Sequence, residues 1–345
     1  MTDQTTRRAP ATSADQTSDL GPDLGLDLGR IAHAATTIDP VFRDSPQYAD
    51  EQLCARLGRR VITKVETLNP LRSFKGRGAD HLVGALTQGS AVGSGAVSTV
   101  VCASGGGNFG QAIAYAARRH GLNADVFVPA GTSQIKTRRM ETFGARVHRV
   151  EGSHKDHAAA YAAQAPGRYY AVDGSDTAVY EGNATIGVEL LRGEPFDTLV
   201  VPVGDGALIA GVARWVKAHA PHVHIVGVTS AAAPALQRSW QTGERVAVEH
   251  GATIAAGISI SRPEPEAVVR TRALVDDFLL IDDDELLAAM HLAAETLGVL
   301  LEPAGAAALA AVAARGIPGE SIATVLTGAN ADLGLYRLNG APALR

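Results

Sequence analysis

Cysteine is nearly absent from this chain: Cys54 and Cys102 are the only two, and they do not form a CxxC pair. That argues against a disulfide framework or a zinc ribbon, and each is read as a small buried hydrophobe. Aromatic residues make up only 5% of the sequence, so the core must be built from small aliphatic side chains. No apolar run approaches the roughly 20 residues needed to cross a bilayer. A basic start followed by an apolar block, the mark of a secretory signal, is also missing. Neither sign of charge dominates, and a net charge of -5 offers no attraction to nucleic acid or an anionic membrane. What remains is the expectation of a globular protein of the cytoplasm.

The 345 residues suffice for a sizeable core and for two lobes. Residues 1–35 are rich in Thr, Asp, Ser and Gly and read as a disordered leader. The alternative is an arm that docks on a partner subunit through Leu20, Leu24, Leu26 and Leu28. Beyond it, short β-branched runs at 60–65, 98–103, 124–129, 145–150, 198–202, 225–228 and 322–326 predict strands. Helical spacing is found at 111–120, 133–143, 155–165, 183–192, 208–219, 283–297 and 304–314. Strands alternating with helices imply βαβ crossovers and an α/β fold of parallel sheets flanked by helices. No repeat is found, and no regulatory module is expected after Asn330.

The most informative stretch is Glu66-Thr-Leu-Asn-Pro-Leu-Arg-Ser-Phe-Lys-Gly-Arg-Gly78. A lysine after a strand and turn, flanked by Ser73 and Gly76, can aim its amine into a cleft. Burial, with Arg77 nearby, is expected to lower the amine's pKa and favour imine chemistry. By itself this is also what a solvated lysine in a glycine-bounded loop looks like. Cys102-Ala-Ser-Gly-Gly-Gly-Asn-Phe-Gly-Gln111 closes a strand and opens a helix, with Asn108 either facing a planar ligand or simply capping the helix. Pro202-Val-Gly-Asp-Gly-Ala-Leu-Ile-Ala-Gly211 is a second such junction, whose free N–H groups could cradle a phosphate. Leu301-Glu-Pro-Ala-Gly305 and Leu326-Thr-Gly-Ala-Asn330 follow near the end.

In this order the motifs resemble the fold-type II, tryptophan-synthase-β-like enzymes that depend on pyridoxal 5'-phosphate, and among them the serine/threonine dehydratases (ammonia-lyases). The resemblance runs from Ile38 to Asn330 and includes Lys136, Gly144-Ala145 and Glu181-Gly-Asn-Ala-Thr-Ile-Gly-Val-Glu189. It implies that Lys75 binds the cofactor as a Schiff base and takes the substrate α-proton. Asn108 would meet the ring oxygen, and Gly204, Asp205, Gly206, Ala207 and Leu208 the phosphate. Thr327 would place a hydroxyl at the ring nitrogen, which suits β-elimination better than transamination. Ser73, Arg72, Gly105, Gly106, Gly107 and Phe109 fall where the substrate is expected. The resemblance also implies a large cofactor-binding domain of residues 36–94 and 173–345, a small inserted domain of residues 95–172, and a homo-oligomer, expected as a dimer.

Several positions depart from the family pattern. A carboxylate-binding Ser is Gly105 here, a frequent His is Phe109, and Asp205 and Ala207 interrupt a run of glycines. Asp205 is expected to turn away from the phosphate or to cap the helix. A carboxylate is lost at Ala256, and the Glu that binds a divalent cation in relatives is Thr229, so no metal is expected. Arg72 is balanced between a grip on an anion and a surface ion pair. His154, His157, His219, His222 and His224 read as solvated, and Asp282-Asp-Asp-Glu285 as a helix cap. The expected reaction is dehydration and deamination of L-threonine or L-serine to a 2-oxo acid and ammonia. A β-replacement synthase, which would need an added amine or thiol acceptor, is the first alternative. A non-catalytic cofactor-binding protein, which would lack turnover, is the second.

Overall fold

A computed structural model describes residues 24–89, 96–249 and 251–336. The chain enters through α1 (Leu28–Thr37), edge strand β1 (Gln47–Ala49), α2 (Glu51–Leu57), β2 (Arg60–Val65) and α3 (Lys75–Thr87). Then come β3 (Thr99–Ala103), α4 (Asn108–Arg119), β4 (Asn123–Pro129), α5 (Gln134–Thr142), β5 (Ala145–Val150), α6 (His154–Ala163) and β6 (Arg168–Ala171). The chain continues with α7 (Thr177–Leu190), β7 (Thr198–Pro202), α8 (Ala207–His219), β8 (His224–Ser230), α9 (Ala235–Thr242) and α10 (Pro265–Leu274). It ends with β9 (Asp277–Ile281), α11 (Asp283–Leu297), α12 (Pro303–Ala314) and β10 (Ser321–Leu326).

The strands form two sheets. One has the order β1-β2-β10-β7-β8-β9, with only the β1–β2 pair antiparallel, and the other is all parallel in the order β5-β4-β3-β6. The two-sheet α/β architecture expected from the alternating pattern is present. Because successive parallel strands point the same way, the loops after them gather at one end of each sheet, where α/β proteins place their ligands.

Close helix packing depends on glycine. A Cβ at Gly211 of α8 would lie 2.2 Å from the Tyr180 carbonyl oxygen of α7. One at Gly182 would lie 2.5 Å from the Arg77 carbonyl of α3. The 181–189 motif therefore packs α7 between α3 and α8. The alanines of α4 serve the same end, with Ala112 and Ala114 fully buried.

Two expectations are corrected. Residues 1–23 and Gly95, the first residue of the expected inserted domain, lie outside the described residues, but the rest of the expected leader is ordered structure. Asp27 caps α1, Leu26 and Ile31 are fully buried, and Arg30 of α1 pairs with Glu181 at 2.7 Å. Both apolar residues therefore find partners within the chain that composition alone does not reveal. Lys75, read as a loop residue, is the first residue of α3, a helix that Gly76, Gly78 and Gly84 conceal. Asp282 and Glu285 form the expected capping box at the start of α11.

Candidate active site

A cavity of about 720 Å³ lies among the loops that follow β3, β6, β7 and β10 and the start of α3. The local sequence explains how Lys75 reaches it. Asn69 folds the turn after β2: its Oδ1 accepts the Leu71 N–H at 3.0 Å and its Nδ2 donates to the Glu66 carbonyl at 2.9 Å. Ser73 then bridges to Gly328 beyond β10, and the Phe74 N–H donates to the Thr327 carbonyl at 3.1 Å. The lysine is thus delivered to the cleft at a helix start pinned to the central strand.

The Lys75 Nζ lies 2.5 Å from Asp173 Oδ2 and 3.3 Å from Asp205 Oδ2. Burial acts to lower this amine's pKa, but the two carboxylates outweigh it and the net direction is up. That reverses the expectation of a depressed lysine. The reason is the pair of carboxylates, while Arg77 turns into the interior. It is fully buried and pairs with Glu66 at 2.8 Å and Glu189 at 2.6 Å, and Glu189 also holds buried Lys64 at 2.6 Å.

Asp173 and Asp205 divide in behaviour. Burial and then the Asp205 charge push the Asp173 carboxyl up to about 7, against the pull of Lys75. Asp205 is held below its ordinary value: burial opposes this, and the Lys75 charge and the Ala207 N–H overcome it. Asp205 Oδ1 accepts that N–H at 2.9 Å, so the residue does cap α8.

Asn108 opens α4 behind Gly107, whose φ of +98° suits glycine. Its amide is fixed at both ends: Nδ2 donates to Glu302 Oε1 at 2.6 Å, and Oδ1 accepts from Asn330 Nδ2 at 2.7 Å. Burial raises the Glu302 pKa, with the Asn108 hydrogen bond opposing it. Gly105, Gly106, Gly107, Phe109, Gly204, Gly206, Leu208 and Thr327 all line the cavity. Ala207 begins α8 directly behind them.

Two residues expected at the substrate are elsewhere. The Arg72 side chain is exposed and does not line the cavity, since a φ of +51° sends it outward while its carbonyl accepts the Ala329 N–H. Ser73 is fully buried, and its Oγ accepts the Lys75 backbone N–H at 3.3 Å. Conversely, His154, read as solvated, lines the cavity. Its Nε2 lies 3.6 Å from the point a Cβ on Gly105 would occupy, and burial, helped by Lys155, lowers its pKa. Thr229 is buried, with its hydroxyl 3.4 Å from the Ile258 carbonyl it donates to.

These residues suit a planar phosphorylated cofactor. A Cβ at Gly204 would lie 2.5 Å from the Gly257 carbonyl, and Gly206 has a φ of +94°, so the loop before α8 offers backbone rather than side chains. The first N–H groups of a helix lack intrahelical partners and favour an anion. Asn108 uses one of its two amide N–H groups on Glu302 and retains the other. Asp173 Oδ1 is buried without a hydrogen-bond partner. Asp205 alone competes with the phosphate, by occupying the Ala207 N–H.

The family of pyridoxal-phosphate dependent enzymes matches residues 38–328, and the chain belongs to it. Its cofactor is therefore pyridoxal 5'-phosphate. Threonine dehydratase 1 biosynthetic, chloroplastic, of Solanum lycopersicum is 34% identical over 307 residues, covering 86% of this chain and 50% of that protein. L-threonine ammonia-lyase of Geobacter sulfurreducens is 34% identical over 284 residues, covering 81% of this chain and 69% of that protein. The processed form of threonine deaminase isoform 2 from Solanum lycopersicum superposes with a TM-score of 0.85 at 29% identity, covering 96% of this chain and 95% of that one. The chain spans about half the length of several curated relatives, including the Solanum lycopersicum dehydratase.

Sequence reasoning missed Asp173, His154, Glu302 and Asn330 as site residues. Asp173 follows β6, a four-residue strand too short to announce itself. Glu302 stood within a quoted motif that gave no role for its carboxylate.

Proposed function

We propose that this chain catalyses β-elimination of a hydroxy amino acid, L-threonine or L-serine, to a 2-oxo acid and ammonia. The observation that carries the reading is the Lys75 amine at the helix start in the cleft, between a backbone phosphate cradle and a fixed asparagine amide. When bound, the cofactor supplies an electron sink for the substrate α-carbon. Lys75 would hold it and, once freed by the substrate, take the α-proton at Nζ. Residues 204–208 would hold the phosphate through backbone N–H groups, and the free Asn108 amide N–H would hold the ring oxygen. Thr327 would offer its hydroxyl to the ring nitrogen. Glu302 and Asn330 keep the Asn108 amide from flipping. Gly105, Gly106, Gly107 and Phe109 would border the substrate, with the His154 imidazole beside Gly105 and the aliphatic part of Lys136 beside Gly107.

The same proposal takes residues 36–94 and 173–345 as the cofactor-binding domain and 95–172 as the inserted one. The positions of the two sheets support that division. It also takes the protein to be a cytoplasmic homodimer. The testing experiment is a screen of L-threonine, L-serine and activated β-substituted amino acids for release of oxo acid and ammonia in equal amounts. Each substrate is tried with and without an amine or thiol acceptor. Release without an acceptor is expected; turnover only with one would replace elimination by β-replacement.

A further inference from the structure

We propose that Asp173 is a further catalytic residue, the acid that protonates the departing β-hydroxyl; this rests on the elimination reading above. Asp173 stands just beyond the end of β6 and lines the cavity. One carboxylate oxygen touches the Lys75 amine at 2.5 Å, while the other is buried and has no hydrogen-bond partner among the described residues. A polar atom left unpaired in a cleft costs stability unless a ligand or substrate answers it.

The charged and titratable groups around Asp173 favour this role. Lys75 faces it from α3 and Asp205 from the start of α8, with Cys102 on β3 and Tyr180 on α7 also near. Two buried carboxylates sharing one amine do not both ionise readily. Asp205 has the Ala207 N–H as an additional partner and keeps the charge, so of the two carboxylates Asp173 is the one that takes up a proton more readily. The site then holds an amine and a carboxyl in contact, able to pass a proton between them.

The step balances within the chain's own residues. Lys75 Nζ takes the α-proton, and the electrons of that bond end in a new Cα–Cβ double bond. The Cβ–O bond breaks with its electron pair on oxygen, and the Asp173 carboxyl delivers a proton there, so water leaves. The Lys75 ammonium returns a proton to Asp173 across their contact, which restores both groups. No oxidant, reductant or metal is required.

The test varies the leaving group. Chloride departs without a proton, so β-chloro-L-alanine needs the base but not the acid. In the Asp173→Asn holoenzyme, kcat for L-serine should fall by about 100-fold or more, the usual loss when a general acid is removed. Elimination from β-chloro-L-alanine should change by less than about 5-fold on the same reasoning. Asp173→Glu, which retains an acid, should recover part of the serine activity. A readout independent of turnover is the pH at which the cofactor's visible absorption band shifts. It should move down in Asp173→Asn, because a carboxylate beside the nitrogen stabilises its proton.

Equal losses on both substrates would overturn the proposal and leave Asp173 as a positioning residue for Lys75. So would unchanged serine turnover, or an unmoved absorption band. If the wild-type holoenzyme releases oxo acid from neither substrate, the elimination reading itself fails and takes the proposal with it. That outcome is distinguished by appearing before any variant is made.

Discussion

Asp205 reaches from the start of α8 to within 3.3 Å of the Lys75 Nζ, while its other oxygen holds the Ala207 N–H at 2.9 Å. One carboxylate thus blocks a phosphate donor and places negative charge where a phosphate is expected. Asp205→Gly, the residue that the resemblance implies here, should free the N–H and remove the repulsion. Affinity for pyridoxal phosphate is expected to rise by about 5- to 30-fold, consistent with about 1–2 kcal/mol for one helix-terminus charge. Absorbance titration of apoprotein measures it, and weaker binding would show that Asp205 assists the cofactor instead.

Beneath the site, Glu189 compensates two buried cations, Arg77 and Lys64. Glu189→Ala leaves both without that partner and should cost about 3–5 kcal/mol of stability. Urea unfolding of the wild type and variant provides the number. A loss under about 1 kcal/mol would mean that water or Glu66 takes over, as it does for exposed pairs.

The same carboxylate sets a pH dependence. Burial acts to raise its pKa, but the Arg77 hydrogen bond and charge, with Lys64, hold it down at about 2 against an ordinary 4.5. A depressed folded-state pKa gives stability that is present in full above 4.5 and lost as the pH falls toward 2. Between those values the urea midpoint of the wild type should fall, and that of Glu189→Gln should fall less steeply. Parallel slopes would assign the acid sensitivity to other carboxylates.

Helix packing makes a sharper structural prediction. A methyl at Gly211 would meet the Tyr180 carbonyl at 2.2 Å, a backbone atom that cannot swing aside. Gly211→Ala should therefore destabilise the protein by about 1–3 kcal/mol despite alanine's better helix propensity. Gly131, which has open space around it, is the control for Ala substitution. A neutral Gly211→Ala would show that α7 and α8 separate at little cost.

His154 lies against Gly105, where the resemblance implies a serine, with its Nε2 3.6 Å from the point a Cβ on Gly105 would occupy. If its imidazole helps hold the substrate carboxylate, His154→Ala should raise KM for L-serine by about 10-fold with little change in kcat, the cost of one hydrogen bond to a charged group. Adding Gly105→Ser to that variant should restore part of the loss. A fall in kcat with unchanged KM would place His154 in the chemistry rather than in binding.

Much of this architecture was legible in the residues. β2, β5 and β7 coincide with the β-branched runs read from sequence; β2 and β7 announce themselves as strands buried on both faces, and the partly exposed edge strand β5 by Val147 and Val150. α11 and α12 were equally clear from their spacing and caps. β1, β6 and β9 were missed: the first two are only three and four residues long, and β9 ends in an acidic run that draws attention to the next helix. Lys75 and Asn108 were legible as site residues because glycines mark the turns that present them. Arg72 and Arg77 were not, since whether an arginine faces a cleft, solvent or a buried glutamate depends on contacts far away in the chain. For the same reason Asp173 remained hidden, and with it the upward shift of the Lys75 amine.

The central claim is that Lys75 is the residue that binds pyridoxal phosphate. The most direct measurement is borohydride reduction of the purified holoprotein followed by proteolysis and mass spectrometry. The account predicts a reduced phosphopyridoxyl group on the peptide containing Lys75, and none in Lys75→Ala. The same group found on Lys136 or Lys155, with the Lys75 peptide unmodified, would contradict it.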